Sequence, residues 1–156
     1  MGEAILFDRD LVVCDMEASS DTEIFERAAA LLRERGLVKD SFFDAICERE
    51  QSYPTGVPVG EVNVAIPHVE SSHVNASAVL AITLKELVPF SSMVDKEQKI
   101  GVGLVFILVL QNGKMHLTML QNLMKIVQSP ETISALRAEH DPARVYEMLR
   151  PYVLAE

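Results

Sequence analysis

Two cysteines in 156 residues are too few for a disulfide-stapled fold. Cys14 and Cys47 lie far apart and form no C-x-x-C pair, so both are read as free thiols in a reducing cytoplasm. Long apolar runs are also lacking. The longest, Ile100 to Leu110, falls short of the ~20 residues a membrane span requires, and Gly101 and Gly103 interrupt it. Basic charge is scarce: 14 Lys and Arg stand against 23 Asp and Glu, a net charge of −9. That balance excludes nucleic acid and anionic membrane surfaces as natural partners. The N-terminus has no basic region leading into an apolar stretch and a small-residue cleavage site, so no secretory signal is expected. Internal repeats, low-complexity linkers and disorder-type segments are missing as well.

What is present fits a folded domain. Hydrophobic residues make up 49% and charged residues 24%, ordinary proportions for a globular protein. The length suits one domain spanning 1–156, with its core at about 5–150.

Residues 4–13 contain apolar positions consistent with a first strand. Ser20-Asp21 can cap a helix whose apolar side is Ile24, Phe25, Ala28, Leu31 and Leu32, and Gly36 ends it. A second helix starts at Asp40 or Ser41, has Phe42, Phe43, Ile46 and Cys47 as its apolar side, and runs into Glu48-Arg49-Glu50. Strands are expected over 62–66 and 76–84, a polar turn region over 89–98, and a strand buried on both faces over 102–110. Asn112-Gly113 reads as a turn. Helices are expected over 116–127 and 130–138, with a last one capped by Asp141-Pro142 and ending near Arg150-Pro151. Strands interleaved with helices indicate a single-domain α/β sandwich.

His68 carries the most chemical information. It closes the segment Val64-Ala-Ile-Pro-His-Val-Glu70, where an apolar strand runs into a proline. Upstream lies the compact turn Tyr53-Pro54-Thr55-Gly56-Val57. A histidine at a rigid strand end, facing a Gly/Thr loop, is well placed to act as a nucleophile.

Together, Glu48-Arg49-Glu50, the Pro-Thr-Gly turn, Ala65-Ile66-Pro67-His68 and His116-Leu117 on an amphipathic helix resemble one family. It is the fructose/mannitol-type (type 2) IIA component of the sugar phosphotransferase system, and the resemblance runs from about Asp21 to Leu149. Pro-Thr-Gly followed by Ile-Pro-His-x-Glu is most similar to the galactitol branch. Many members place glycine after Ile-Pro-His, whereas Val69 stands here, which points to a sub-branch.

The resemblance implies a mixed β-sheet flanked by helices on both faces. It implies a cytoplasmic phosphotransferase without cofactor or metal. A histidine would take a phosphoryl group from the carrier protein HPr and pass it to a cysteine of a IIB protein, contacting the membrane IIC component only indirectly. His68 would be the acceptor, with Arg49 and His116 supporting it. Thr55 and Gly56 would offer donors to the phosphate, and Glu70 would orient a histidine. A partly apolar docking patch is expected at Val57, Val59, Val69 and Met115, rimmed by Glu48, Glu50 and Glu70. The alternative within the family is a regulatory, nitrogen-type IIA that acts by phosphorylation-dependent protein binding. Metal-dependent hydrolysis by His68, Glu70 and His73 is disfavoured. The P-C-x-x-C element of a zinc deaminase is absent, and residues five apart do not share a helix face.

Overall fold

The computed structural model describes residues 5–154. Its centre is a five-stranded sheet in the order β1-β4-β5-β3-β2. The strands are β1 (Val12–Met16), β2 (Gly56–Val57), β3 (Asn63–Ala65), β4 (Ala78–Ser91) and β5 (Lys99–Val109). β1 pairs with β4 and β3 with β5 in parallel, whereas the β4–β5 and β2–β3 pairs are antiparallel. The sheet is therefore mixed, as expected.

Every residue from Ala78 to Leu84 and from Val102 to Val109 is buried. Successive side chains of a strand point to opposite faces, so such runs require cover on both sides. Five helices provide it: α1 (Asp21–Glu34), α2 (Phe42–Ser52), α3 (Gly113–Val127), α4 (Pro130–Ala138) and α5 (Pro142–Val153). Phe25 of α1 meets Phe90 of β4 edge to face at 6.2 Å. Tyr146 of α5 packs on Phe7 at 5.3 Å.

Local chemistry explains the helix ends. The Ser20 hydroxyl accepts from the Glu23 N–H, and the Glu23 carboxylate accepts from the Ser19 hydroxyl. α1 stops in a Schellman motif: Leu37 N–H donates to the Leu32 carbonyl and Gly36 N–H to that of Arg33, each at 2.9 Å. Gly36 adopts φ +72°, which only glycine reaches without strain. Asp141 and Ser129 cap α5 and α4 in the same side-chain manner, each followed by proline.

Several expected boundaries move. The first strand spans Val12–Met16, not 4–13. Asp8 caps a 3-10 turn at Arg9–Leu11, and Leu6 makes only an isolated bridge to Ala78; Ala4 lies outside the described residues. β4 continues past Leu84 to Ser91, absorbing the start of the expected turn region. Pro89 is tolerated there because the β1 pairing ends at Leu84, leaving that edge of β4 open. α3 starts at Gly113, with Asn112 as its cap, so that pair is a helix start and not a free turn. α5 runs through Pro151 to Val153. Among the described residues, no helix is long and apolar enough to cross a membrane.

Candidate functional site

β3 ends at Ala65, but the chain keeps running beside β5. The Leu108 N–H donates to the Pro67 carbonyl at 2.9 Å, and His68 bridges to Leu108. Val64, Ala65 and Ile66 are buried, which anchors the segment and leaves His68 at the carboxyl ends of the parallel β3–β5 pair. The His68 ring is half-buried, with Nδ1 3.1 Å from the Ile66 carbonyl oxygen. A carbonyl oxygen only accepts, so Nδ1 bears the hydrogen and the lone pair is on Nε2. Burial pushes the His68 pKa down to about 4. The Ile66 bond opposes that shift, and the nearby His116 and Arg49 charges reinforce it. At neutral pH the ring is a neutral imidazole with an available nitrogen nucleophile.

His116 comes from α3, and its ring stands 4.4 Å from that of His68, tilted by 64°. Because α3 begins at Gly113, His116 closes the first turn. Its backbone N–H donates to the Asn112 carbonyl, which leaves the ring as the group that reaches the site. Burial, then the Arg49 charge, lowers its pKa. Arg49 comes from the last turn of α2. Its guanidinium lies 5.1 Å from the Tyr53 ring centre, and its buried Nε has no hydrogen-bond partner among the described residues. Arg49 and His68 line two adjoining clefts of about 350 Å³ each. One is polar and also bounded by Glu70, Asn112 and His116. The other is apolar, with Tyr53, Val57, Met93, Leu120 and Met124 in its wall.

The fold thus brings His68, Arg49 and His116 together from three separate elements. It treats the other candidates differently. The Thr55 N–H donates to Glu50 Oε2 and the Thr55 hydroxyl to Oε1, both at 2.8 Å, so neither donor is open to a phosphate. Gly56 lies in β2, where an added Cβ would stand 2.7 Å from the Ser91 carbonyl oxygen. Close backbone approach explains the glycine. Glu70 is exposed, and the Ile66 carbonyl, not Glu70, orients His68. Glu50, expected on an exposed rim, is only 4% accessible. Burial raises its carboxyl pKa to about 7 against the two Thr55 hydrogen bonds.

The docking patch also changes membership. Val69 is buried, and Val59 lines a different cleft with Pro130 and Ile133. The exposed apolar side chains at the site are Tyr53 and Met93, which line a cleft with His68; Leu117, the residue after His116 in α3, is exposed as well. Met93 fell in a stretch whose polar neighbours masked it. Leu117 occupies a helical apolar position that reads as core from periodicity alone. Among the described residues, no group of three His, Cys, Asp or Glu side chains is placed to hold a metal.

A mixed sheet carrying a half-buried, neutral histidine beside a second histidine and an arginine defines an α/β domain with a nucleophile-bearing site. The comparisons with known proteins supply the family. Residues 5–151 match the model described as "Phosphoenolpyruvate-dependent sugar phosphotransferase system, EIIA 2", and the chain belongs to that family of phosphotransferases. It is similar to the galactitol-specific EIIA component of Escherichia coli K12, 30% identical over 102 residues, or 65% of this chain and 67% of that protein. The solved nitrogen regulatory protein IIA-Ntr from Neisseria meningitidis is 30% identical, with a TM-score of 0.75 over 90% of this chain and 94% of that one. The fold also matches the Escherichia coli complex of enzyme IIAMTL and phosphorylated enzyme IIBMTL. There the TM-score is 0.69 at 15% identity, over 98% of this chain and 100% of that one.

Proposed function

We propose that this chain is a phosphocarrier of a sugar phosphotransferase system and that Nε2 of His68 is the atom phosphorylated. The observation that carries this reading is the Nδ1–Ile66 contact, which leaves the lone pair on Nε2 of a neutral ring. In the first step Nε2 attacks the phosphorus of phospho-HPr. The Nε2–P bond forms, the donor's N–P bond breaks, and the donor imidazole recovers its electron pair. In the second step a IIB cysteine thiolate attacks the same phosphorus, and the electron pair returns to Nε2. The hydrogen stays on Nδ1 throughout, donated to the Ile66 carbonyl. Such transfer is mostly positioning and charge stabilisation. The unpaired Arg49 and the His116 ring supply donors beside the three phosphoryl oxygens.

The resemblance to a galactitol-specific component favours coupling to uptake of a galactitol-like sugar, with work confined to the cytoplasm and IIC engaged through IIB. The resemblance to a nitrogen regulatory IIA supports a second reading, in which the phosphorylated state controls binding to another protein. HPr and IIB have to reach the same atom, so they dock in turn on the face bearing Tyr53 and Met93, through an interface at or below the standard ~1,600 Å². Incubation with phosphoenolpyruvate, enzyme I and HPr, followed by mass spectrometry of the acid-labile phosphate, tests the acceptor. Label on any residue other than His68 refutes it. Onward transfer to a galactitol-type IIB separates the transport reading from the regulatory one.

A further inference from the structure

The buried stripe of α2 is Phe42, Ile46 and Glu50, one residue per turn on a single face. The last of these positions holds a carboxyl group where an apolar side chain would fill the same space. Both of its oxygens are engaged, and both by one residue: Oε2 accepts from the Thr55 N–H and Oε1 from the Thr55 hydroxyl. Two bonds to a single residue fix orientation as well as distance. The chain of contacts then continues. The Thr55 carbonyl accepts from the Ile66 N–H at 3.3 Å, and the Ile66 carbonyl holds Nδ1 of His68 at 3.1 Å. Arg49, the cation that lines both clefts, is the residue before Glu50 on the same helical turn.

We propose that Glu50 is a positioning residue for phosphoryl transfer, acting through Thr55 and the Ile66 peptide groups to hold the His68 ring and through α2 to place Arg49. The proposal rests on His68 being the acceptor. Glu50 does not touch the phosphoryl group. It sets which direction the Nε2 lone pair points and keeps the Pro-Thr-Gly segment against β3. Such a buried polar connection is sensitive to loss of any one member, because the remaining partner is left unpaired.

The test measures single-turnover transfer from phospho-HPr, with the ring-nitrogen NMR shifts of His68 recorded alongside. In the wild-type protein the label has to appear on His68. If it does not, the reading of the acceptor has failed, and not the role of Glu50. With that established, Glu50→Gln keeps the shape but replaces one acceptor oxygen with an N–H₂, so the Thr55 hydroxyl stays paired only by turning from donor to acceptor. A displacement of about 1 Å at a reacting group can cost ~10²-fold, so the saturated rate is expected to fall between tenfold and a hundredfold with little change in KM. The His68 ring nitrogens should shift from a fixed Nδ1–H tautomer toward an average. Thr55→Val should resemble Glu50→Gln, and the double variant should be no slower than the worse single. Thr55→Ser, which keeps both donors, should transfer at nearly the wild-type rate. Folded Glu50→Gln with wild-type rate and ring shifts overturns the proposal, as do additive losses in the double variant. Should Glu50→Gln fail to fold, equal rates in Thr55→Val and Thr55→Ser overturn it.

Discussion

His68 and His140 each place Nδ1 within hydrogen-bond reach of an oxygen, yet they sit in opposite surroundings. His140 lies between α4 and α5, with its side chain 75% exposed and Nδ1 2.6 Å from an Asp15 carboxylate oxygen. Asp15 itself is strained, with φ 55°, and its N–H is held by the Thr83 hydroxyl, so the contact straps the α4–α5 connection to β1. His68 is half-buried and faces an uncharged peptide carbonyl, with a second histidine and an unpaired arginine beside it. Proximity to an oxygen is therefore not what distinguishes the proposed acceptor. A carbonyl cannot change its charge, so it fixes one tautomer. Burial removes the competing proton, and two clefts adjoin the ring.

The sharpest way to break this contrast is to remove each ring. His68→Ala should abolish acid-labile labelling by phospho-HPr, while His140→Ala should be labelled at the wild-type rate; equal behaviour would erase the distinction. Next in size are the neighbours of His68. Arg49→Ala and His116→Ala should fold and slow transfer by ~10²–10³, the usual loss for one donor to developing charge. Wild-type rates in quenched-flow measurements on both would remove them from the site.

A third test concerns the buried acid behind the site. The Glu50 pKa is raised in the folded protein from 4.5 to about 7. Its stabilising contribution is therefore complete below about 4.5 and is lost as pH rises through about 7. At about 1.4 kcal/mol per pH unit, wild-type stability relative to Glu50→Gln should decline by on the order of 3 kcal/mol between pH 4.5 and 8. Parallel urea-denaturation curves across that range would contradict a buried titrating carboxyl. A fourth test reads His68 directly. Its ring should titrate near pH 4 in NMR spectra, well below its ordinary 6.5; a midpoint near 6.5 would mean that water reaches the ring freely. The smallest effect belongs to the exposed pair. Asp15→Ala should change thermal stability by no more than about 1 kcal/mol through loss of the His140 contact, as exposed pairs do. A larger loss would show that the strained backbone at Asp15 also depends on its side chain.

The legible features were those governed by neighbours within a turn or a strand. Apolar spacing with Ser20 and Gly36 at its ends marked α1, and the aliphatic run after Ile100 marked β5 as buried on both faces. Pro67-His68 marked a strand end. Less legible was whatever depended on a distant segment. The length of β4 depends on β5 opposite Pro89 and on β1 ending early. The apolar face beside His68 includes Met93, which sits among polar residues in the chain.

From its residues this protein was readable as an α/β domain with a strand-end His68, and the resemblance of its motifs to the IIA family added the mixed sheet and the acceptor role. Helical and strand periodicities and short motifs are local, and they persist in whatever fold the chain adopts. Only the tertiary structure decided that Nδ1 of His68 meets the Ile66 carbonyl, that the His116 ring meets that of His68 edge to face, and that Glu50 is buried on Thr55 and not exposed at a rim. Burial and hydrogen-bond partners are properties of the packed assembly of α2, α3, β3 and β5. They set tautomer, charge and orientation, and sequence spacing holds no record of them.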